Sequence, residues 1–374
     1  MPSHRPGLYI HIPFCTRKCL YCGFYSVPSP SHGLVSAWLS SLKHEVLHYR
    51  HSFAAFDTLY LGGGTPTCLP SEILSDLMEW VLKHLPFSSD SQFFIEANPG
   101  DLTKEKIEAI KAMGFNRINV GIQSFCDPEL KFLGRRHDAT EAVLALQRLK
   151  DACVESIGID LIYGLPEQSM DEWLRTLEST ISFRPEHISC YELTYEKGTP
   201  MWEMKKQKEI RPIDEDTERD FFLMTDRFLE EHGYIHYEIS NFAKEKRFIS
   251  RHNIKYWQHV PYLGLGPAAH SFCGSRRWWN VRDIKTYCKL LEQGKVPVEG
   301  SEVLTDEQIL MEYVFLGLRT VKGIDIKRIA DIPGATETIY RLEQQGFFNI
   351  KNGTAIPTLK GFLMADTLSS ILLT

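Results

Sequence analysis

Cys15, Cys19 and Cys22 stand at C-x3-C-x2-C spacing in the run His11-Ile12-Pro13-Phe14-Cys15-Thr16-Arg17-Lys18-Cys19-Leu20-Tyr21-Cys22. Thiolates are the usual ligands of iron–sulfur clusters, and a cube ordinarily takes four of them. Three at this spacing can hold a [4Fe-4S] cluster at three corners and leave the fourth iron open to an outside molecule. The same residues also suit a Cys3His zinc site, with His11 as fourth ligand. A c-type haem attachment requires C-x-x-C-H, and Gly23 follows Cys22, so that chemistry is excluded.

Further along, several groups have side chains, or none, that suit a nucleotide-like ligand. Gly62-Gly63-Gly64-Thr65 forms a loop whose backbone can approach a ligand because no Cβ intervenes, although a tight turn has the same composition. Glu96 ends the apolar run Phe93-Phe94-Ile95, where a carboxylate needs partners and can accept ribose hydroxyls. Gln123 follows Gly121-Ile122, and Asp160 lies inside Ile159-Asp160-Leu161-Ile162-Tyr163. An arginine in Gly134-Arg135-Arg136-His137 can bind a carboxylate through both arms of its fork, and physics alone does not choose between Arg135 and Arg136. Tyr9 either caps an adenine or fills a core.

These residues must be positioned by something. Short β-rich runs at Leu8–Ile12, Thr58–Leu61, Phe93–Ala97, Arg117–Ile122, Gly158–Ile162 and Ile188–Leu193 alternate with amphipathic stretches such as Glu72–Leu85, Lys104–Met113, Thr140–Cys153 and Met170–Ile181. That alternation predicts parallel βα units, and six of them make an open, partial barrel rather than a closed eight. In such folds chemistry sits at the carboxyl ends of the strands. The cysteine loop, the glycine loop, Glu96, Gln123 and Asp160 all fall at or near those ends, so one mouth should gather them. From about Val303 the pattern changes to helices at Asp306–Leu318, Ile326–Ala330 and Thr336–Gln345. Strands Phe347–Ile350 and Thr354–Ile356 follow, flanking an Asn352-Gly353 turn, with a closing helix at Leu359–Leu373. The expected division is a partial barrel over 1–240, a connecting region over 241–302 and a mainly helical, winged-helix-like domain over 303–374.

Composition limits the partners. The chain has 374 residues with 42 Lys/Arg against 48 Asp/Glu, a net charge of −6, which offers no global basic field for nucleic acid or anionic lipid. The winged-helix-like segment from Thr305 onward carries 7 basic and 8 acidic residues, 7 − 8 = −1, so it does not neutralise phosphates as DNA binding requires. No run approaches the ~20 apolar residues of a membrane span. Met1-Pro2-Ser3-His4 leads straight toward a strand without an apolar leader core, and the cysteines outside the cluster motif are scattered, as in a reducing compartment. A cytoplasmic location, without stable membrane insertion, is the expectation.

His11-Ile12-Pro13-Phe14-Cys15, the glycine loop, Gly121-Ile122-Gln123 and Ile159-Asp160-Leu161-Ile162-Tyr163-Gly164-Leu165-Pro166 together resemble the radical SAM superfamily and, within it, the oxygen-independent coproporphyrinogen III oxidase group. The likeness runs from about Leu8 to the C-terminus. It implies a radical SAM barrel, a [4Fe-4S] cluster on Cys15, Cys19 and Cys22, and S-adenosylmethionine (SAM) on the vacant iron. Gly63, Gly64 and Thr65 would meet SAM or a second ligand, Glu96 its ribose, and Gln123, Arg135 and Asp160 the amino-acid end of a second SAM-like molecule; it is this resemblance that selects Arg135.

The group holds a decarboxylating dehydrogenase of haem biosynthesis and a sister branch of haem chaperones, the HemW branch. Three features resemble the sister branch. Phe24 stands where the dehydrogenases usually carry a further cysteine, Leu8 is already strand where they carry an N-terminal extension, and Arg251-His252-Asn253-Ile254-Lys255-Tyr256-Trp257 matches an H-N-x-x-Y-W signature. The resemblance implies haem as ligand, a haem-acceptor protein and an electron donor as partners, and a cofactor site without coproporphyrinogen dehydrogenase activity. The dehydrogenase is the alternative. His252 is a sensible haem ligand beside the aromatics Tyr256 and Trp257, with His270 and other histidines as rivals, or else part of a structural corner.

Overall fold

Alternation of side chains along the first six strands decides what faces the interior. The structure, a computed structural model, describes residues 5–373. Six parallel strands lie side by side in chain order: β1 (Gly7–Ile12), β2 (Phe56–Gly63), β3 (Phe87–Ala97), β4 (Arg117–Gln123), β5 (Ser156–Tyr163) and β6 (His187–Glu192). Leu8, Ile10 and Ile12 of β1 and Leu59 and Leu61 of β2 are fully buried in one core with Trp38, Leu42 and Val46 of the helix His32–Tyr49. Successive Cβ atoms point to opposite faces, so Tyr9, His11, Tyr60, Glu96, Asn119 and Asp160 turn to the other, inner face. The register then stacks them in rows, with Glu96 opposite Asn119, Asn119 opposite Gly158, Gly121 opposite Asp160, and Asp160 opposite Ser189.

The α/β class and the partial six-unit barrel agree with expectation, and the helices Ser71–His84, Lys104–Ala112, Ala139–Asp151 and Met170–Ser182 fall within two residues of the anticipated stretches. Ser169 and Glu172 close a reciprocal capping box at the start of the last of these. Two further helices, His32–Tyr49 and Glu215–Glu231, complete the outer layer.

The sheet itself is larger than the barrel, with twelve strands. Beyond β6 it continues into Asn241–Ala243 and Ile235–Glu238. Beyond β1 it continues into Tyr262–Leu265, paired parallel, and then antiparallel through His270–Cys273, Arg276–Asn280 and Val298–Val303. Residues 241–302 therefore add strands at both edges of the barrel sheet.

The segment after Val303 packs around its own core of Val314, Leu318, Ile324, Ile339, Phe348 and Leu368. Its hairpin turns at Asn352 and Gly353, with φ of 51° and 79°, the pair of left-handed residues that a two-residue type I′ turn needs. Ile324–Asp325 adds a third strand. The helix expected over Leu359–Leu373 is instead two, Leu359–Leu363 and Ala365–Leu373, separated at Met364. All nine cysteines are free thiols. Among the described residues no helix is long and apolar enough to cross a membrane.

Candidate functional site

The glycine loop and the cysteine loop are built against each other. Gly64 N–H donates to the Ile12 carbonyl at 2.8 Å and Thr65 N–H to the Phe14 carbonyl at 2.7 Å. A Cβ on Gly63, whose φ is +104°, would lie 2.3 Å from His11 Nδ1, and one on Gly64 would lie 2.3 Å from the Phe14 carbonyl oxygen. The glycines thus serve close backbone packing as well as exposure, and they set Thr65 Oγ1 3.5 Å from Cys15 Sγ. His11 secures the far side. Its Nε2 donates to the Tyr25 carbonyl at 2.8 Å, so its Nδ1 accepts from the Tyr9 hydroxyl at 3.0 Å. Burial pulls the His11 ring down to about 4, and with both nitrogens engaged it has no lone pair for a metal beside the cysteines.

A cavity of about 750 Å³ opens at the carboxyl ends of the strands. Cys15, Cys19, Cys22, Gly63, Gly64, Thr65, Glu96, Gln123, Arg135 and Asp160 all line it. Glu96 accepts from the Tyr60 hydroxyl at 2.8 Å and from Gly63 N–H at 3.2 Å. Burial, with Asp160 adding repulsion, pushes the Glu96 carboxyl up to about 7, and burial pushes Asp160 up to about 6. Two carboxyls buried this way favour a cationic or hydrogen-donating occupant.

Arg135 and Arg136 are separated by their partners. Arg135 turns inward, donating from Nη1 to Cys19 Sγ at 3.3 Å and from Nη2 to the Gly121 carbonyl at 2.6 Å, while Arg136 pairs with Asp101. Gln123 sits at φ +70° where the β4–β5 register slips, a left-handed conformation that a non-glycine residue adopts at a cost. The slip re-aims the end of β4 into the mouth.

Two anticipated residues stand elsewhere. Tyr9 does not line the cavity; it orients His11 and packs near Tyr60, with ring centroids 6.2 Å apart. His252 lies on the helix Arg251–Trp257 and is 1 % exposed. Its Nδ1 is bonded to Thr58 Oγ1 and its Nε2 to the Tyr256 hydroxyl, each at 2.9 Å, and its ring stacks on Tyr60 at 5.1 Å. Burial draws it down to about 3, so it is neutral, and as placed neither nitrogen is open to an iron. Its neighbour Asn253 does line the cavity.

Sequence reasoning passed over Tyr60, Asn119, Ser189 and Tyr191, all cavity-lining. The available signal was parity: Tyr60 is two residues before Gly62, and Asn119 is opposite Glu96 in register.

The donor set fits a cluster and a polar nucleotide. Three thiols share one wall, and burial pushes Cys15 up and Cys22 up to about 11, so each needs a positive partner to ionise. Asn119 Oδ1 and Arg135 Nε are buried without a protein partner, one acceptor and one donor in the cavity wall. Among the described residues no three His, Cys, Asp or Glu side chains form a ready single-ion cage.

The chain is similar to known proteins over most of its length. Residues 9–180 match the family model described as the Radical SAM superfamily. The chain is 33% identical over 369 residues to the "Heme chaperone HemW" of Bacillus subtilis (strain 168), covering 96% of each chain. It is 31% identical over 377 residues to the protein of the same name from Mycobacterium tuberculosis (strain CDC 1551 / Oshkosh), covering 100% of this chain and 96% of that one. Among solved structures, one described as "Coproporphyrinogen III oxidase (HemN) from Escherichia coli is a Radical SAM enzyme" superposes with a TM-score of 0.85 at 22% identity. It covers 100% of this chain and 91% of that chain, a likeness of fold.

Proposed function

Because the chain belongs to the HemW family of the radical SAM superfamily, we propose that it is a haem chaperone that binds haem and passes it to an acceptor protein. The observation that carries this reading is the extent of the likeness. It covers 96% and 100% of the chain, well past residue 180 where the radical SAM match ends, and so includes the strands beyond β1 and the C-terminal unit.

In this reading Cys15, Cys19 and Cys22 hold the [4Fe-4S] cluster. When bound, the cluster supplies an iron with a vacant position for SAM and an electron that a donor protein must deliver. Gly63, Gly64 and Thr65 shape the wall beside it. Glu96, held by Tyr60 and Gly63, receives ribose hydroxyls. Asp160 accepts an ammonium, and Arg135, beside Cys19, orients a carboxylate. Gln123 completes the rim.

The test is anaerobic reconstitution of the full chain, analysis of iron and sulfide, haem titration, and in parallel an assay with coproporphyrinogen, SAM and a reductant. Expected are cluster assembly, haem bound at about one per chain, and no decarboxylated porphyrin. Turnover to such a porphyrin, or failure to bind haem, would overturn the reading. Phe24, 65% exposed at the cavity rim where the dehydrogenases carry another cysteine, is the local feature that favours the chaperone over that enzyme.

A further inference from the structure

The helix Arg251–Trp257 lies against the inner face of the barrel at the amino ends of β1 and β2. Two ion pairs hold it there. Asp57 takes Arg251 on one oxygen at 2.7 Å and Lys255 on the other at 2.6 Å, and Lys255 also donates to the Arg5 carbonyl at 2.8 Å. Gly7 makes room for the contact, since a Cβ there would lie 2.9 Å from Lys255 Cδ and 3.2 Å from His252 Nδ1. Asn253, on the same helix, reaches the cavity itself.

Alternation then carries a line of contacts up one face of β2. Thr58 bonds His252 Nδ1, and Tyr60 lies on the His252 ring, with centroids 5.1 Å apart and planes at 27°. The Tyr60 hydroxyl donates to Glu96 Oε1 at 2.8 Å. Gly62 leaves space for both, because a Cβ there would lie 2.7 Å from Tyr60 Cε1 and 2.9 Å from Glu96 Oε1. Of the rings around Tyr60, His252 is nearer than Phe94 at 5.7 Å or Tyr9 at 6.2 Å.

We propose that this helix is the floor of the SAM cavity and that His252 is a positioning residue for Glu96, acting through Tyr60. The imidazole fixes the tilt of the phenol, and the phenol fixes the carboxyl that receives the ribose. The inference rests on the role given to Glu96 in the haem-chaperone reading, and it assigns the signature histidine to SAM rather than to haem iron.

Glu96 depends on such support. Each of its oxygens has one donor, the Tyr60 hydroxyl at 2.8 Å and Gly63 N–H at 3.2 Å, so the phenol makes the closer bond. Burial pushes the carboxyl up to about 7, and the Tyr60 hydroxyl is the strongest influence opposing that rise. A buried carboxyl that loses this donor takes up a proton more readily and is a poorer acceptor for ribose hydroxyls. His252 serves as a support because its own two nitrogens are engaged, by Thr58 and by Tyr256, which leaves its ring no freedom to turn.

The experiment is SAM titration calorimetry on the anaerobically reconstituted full chain, with iron content and circular dichroism reporting cluster and fold. The variants are His252→Ala, His252→Phe, Tyr60→Phe and the double variant His252→Ala/Tyr60→Phe. His252→Ala should weaken SAM binding about tenfold, as loss of a hydrogen bond to a charged group does, and Tyr60→Phe by a similar factor. The double variant should lose no more than Tyr60→Phe alone, because the histidine acts only through the phenol. His252→Phe, which keeps a flat ring beneath Tyr60, should recover most of the affinity. Should His252→Ala lose its fold, His252→Leu, which fills the space without a ring, replaces it in the cycle under the same expectations. Haem titration of the folded variants should match wild type. Unchanged SAM affinity on removal of the ring, or losses that multiply in the double variant, would overturn this inference alone. Failure of the wild type to bind SAM would overturn the reading of the cavity and this inference with it. A wild type that binds SAM but no haem would overturn the chaperone reading alone.

Discussion

On one side of β1 the inner face of the sheet carries Glu96, Asn119 and Asp160; on the other it carries Tyr262, Phe272, His270 and Trp279. The first side is parallel, and each strand must return through a crossover, so its carboxyl ends carry long loops that close over a cavity. The second is mostly antiparallel, and strands such as His270–Cys273 and Arg276–Asn280 are joined by a short turn, with His270 exposed. Enclosure explains the chemistry of each half. Inside the barrel, burial raises two carboxyls and two cluster thiols and demands a charged occupant. On the extension, Phe272 is buried, Tyr262 and Trp279 are half-buried, and only the His270 side chain among these four is exposed.

The largest effect expected from separating the halves is complete. Cys19→Ala should remove the cluster, so that iron after anaerobic reconstitution falls from about four per chain to background, while haem binding by the chain persists. A variant that keeps its full iron and sulfide would show that Cys19 is not a ligand. Loss of haem binding together with the iron would show that haem binding depends on the cluster.

Next comes a pair of glycines with opposite surroundings. Gly63→Val places a branched side chain at φ +104° and against the His11 ring, which should cost about 3 kcal/mol or more and bring down the cluster loop with it. Gly300→Ala meets only the rim of an indole at the open face and should cost about 1 kcal/mol or less. Denaturant midpoints decide; equal losses would mean that the two faces are equally constrained.

The parallel half was legible because its signals are local. Glycines, cysteines and carboxylates mark strand ends, and β-rich runs mark the strands, so ten anticipated residues meet at one cavity. Depth was not legible. Nothing in the run Arg251-His252-Asn253 tells how deep His252 lies, and its contact with Thr58, 194 positions away, shows that it is sealed. The choice between Arg135 and Arg136 likewise waits on Asp101, which claims Arg136. The antiparallel strands, four to six residues long, carry too few alternations to announce themselves.

A smaller effect tests what the enclosed half recognises. Glu96→Gln keeps the shape but loses the acceptor for one hydroxyl, and should weaken SAM binding about tenfold by calorimetry. Arg135→Ala should weaken it by a similar factor, and Arg136→Ala hardly at all, because Arg136 serves Asp101. Equal losses for the two arginines would mean that the inward position of Arg135 has no bearing on the ligand.

The smallest expected effect is a slope in pH. The Glu96 carboxyl is at about 7 in the fold against an ordinary 4.5, chiefly because burial penalises its charge. Below about 4.5 both folded and unfolded chains hold the proton, and the group takes nothing from stability. Between about 4.5 and 7 the unfolded chain gives it up while the fold retains it, so stability falls as pH rises, and above 7 the full cost stands. A side-chain amide cannot titrate, so without SAM the Glu96→Gln variant should gain on wild type across that window by on the order of 1 kcal/mol. The gain should be level on either side. His270→Ala, on the open face, should leave the difference unchanged. A stability difference that is flat from pH 4.5 to 7 would mean that water or an ion reaches Glu96 freely, and the contrast between an enclosed half and an open one would lose its electrostatic basis.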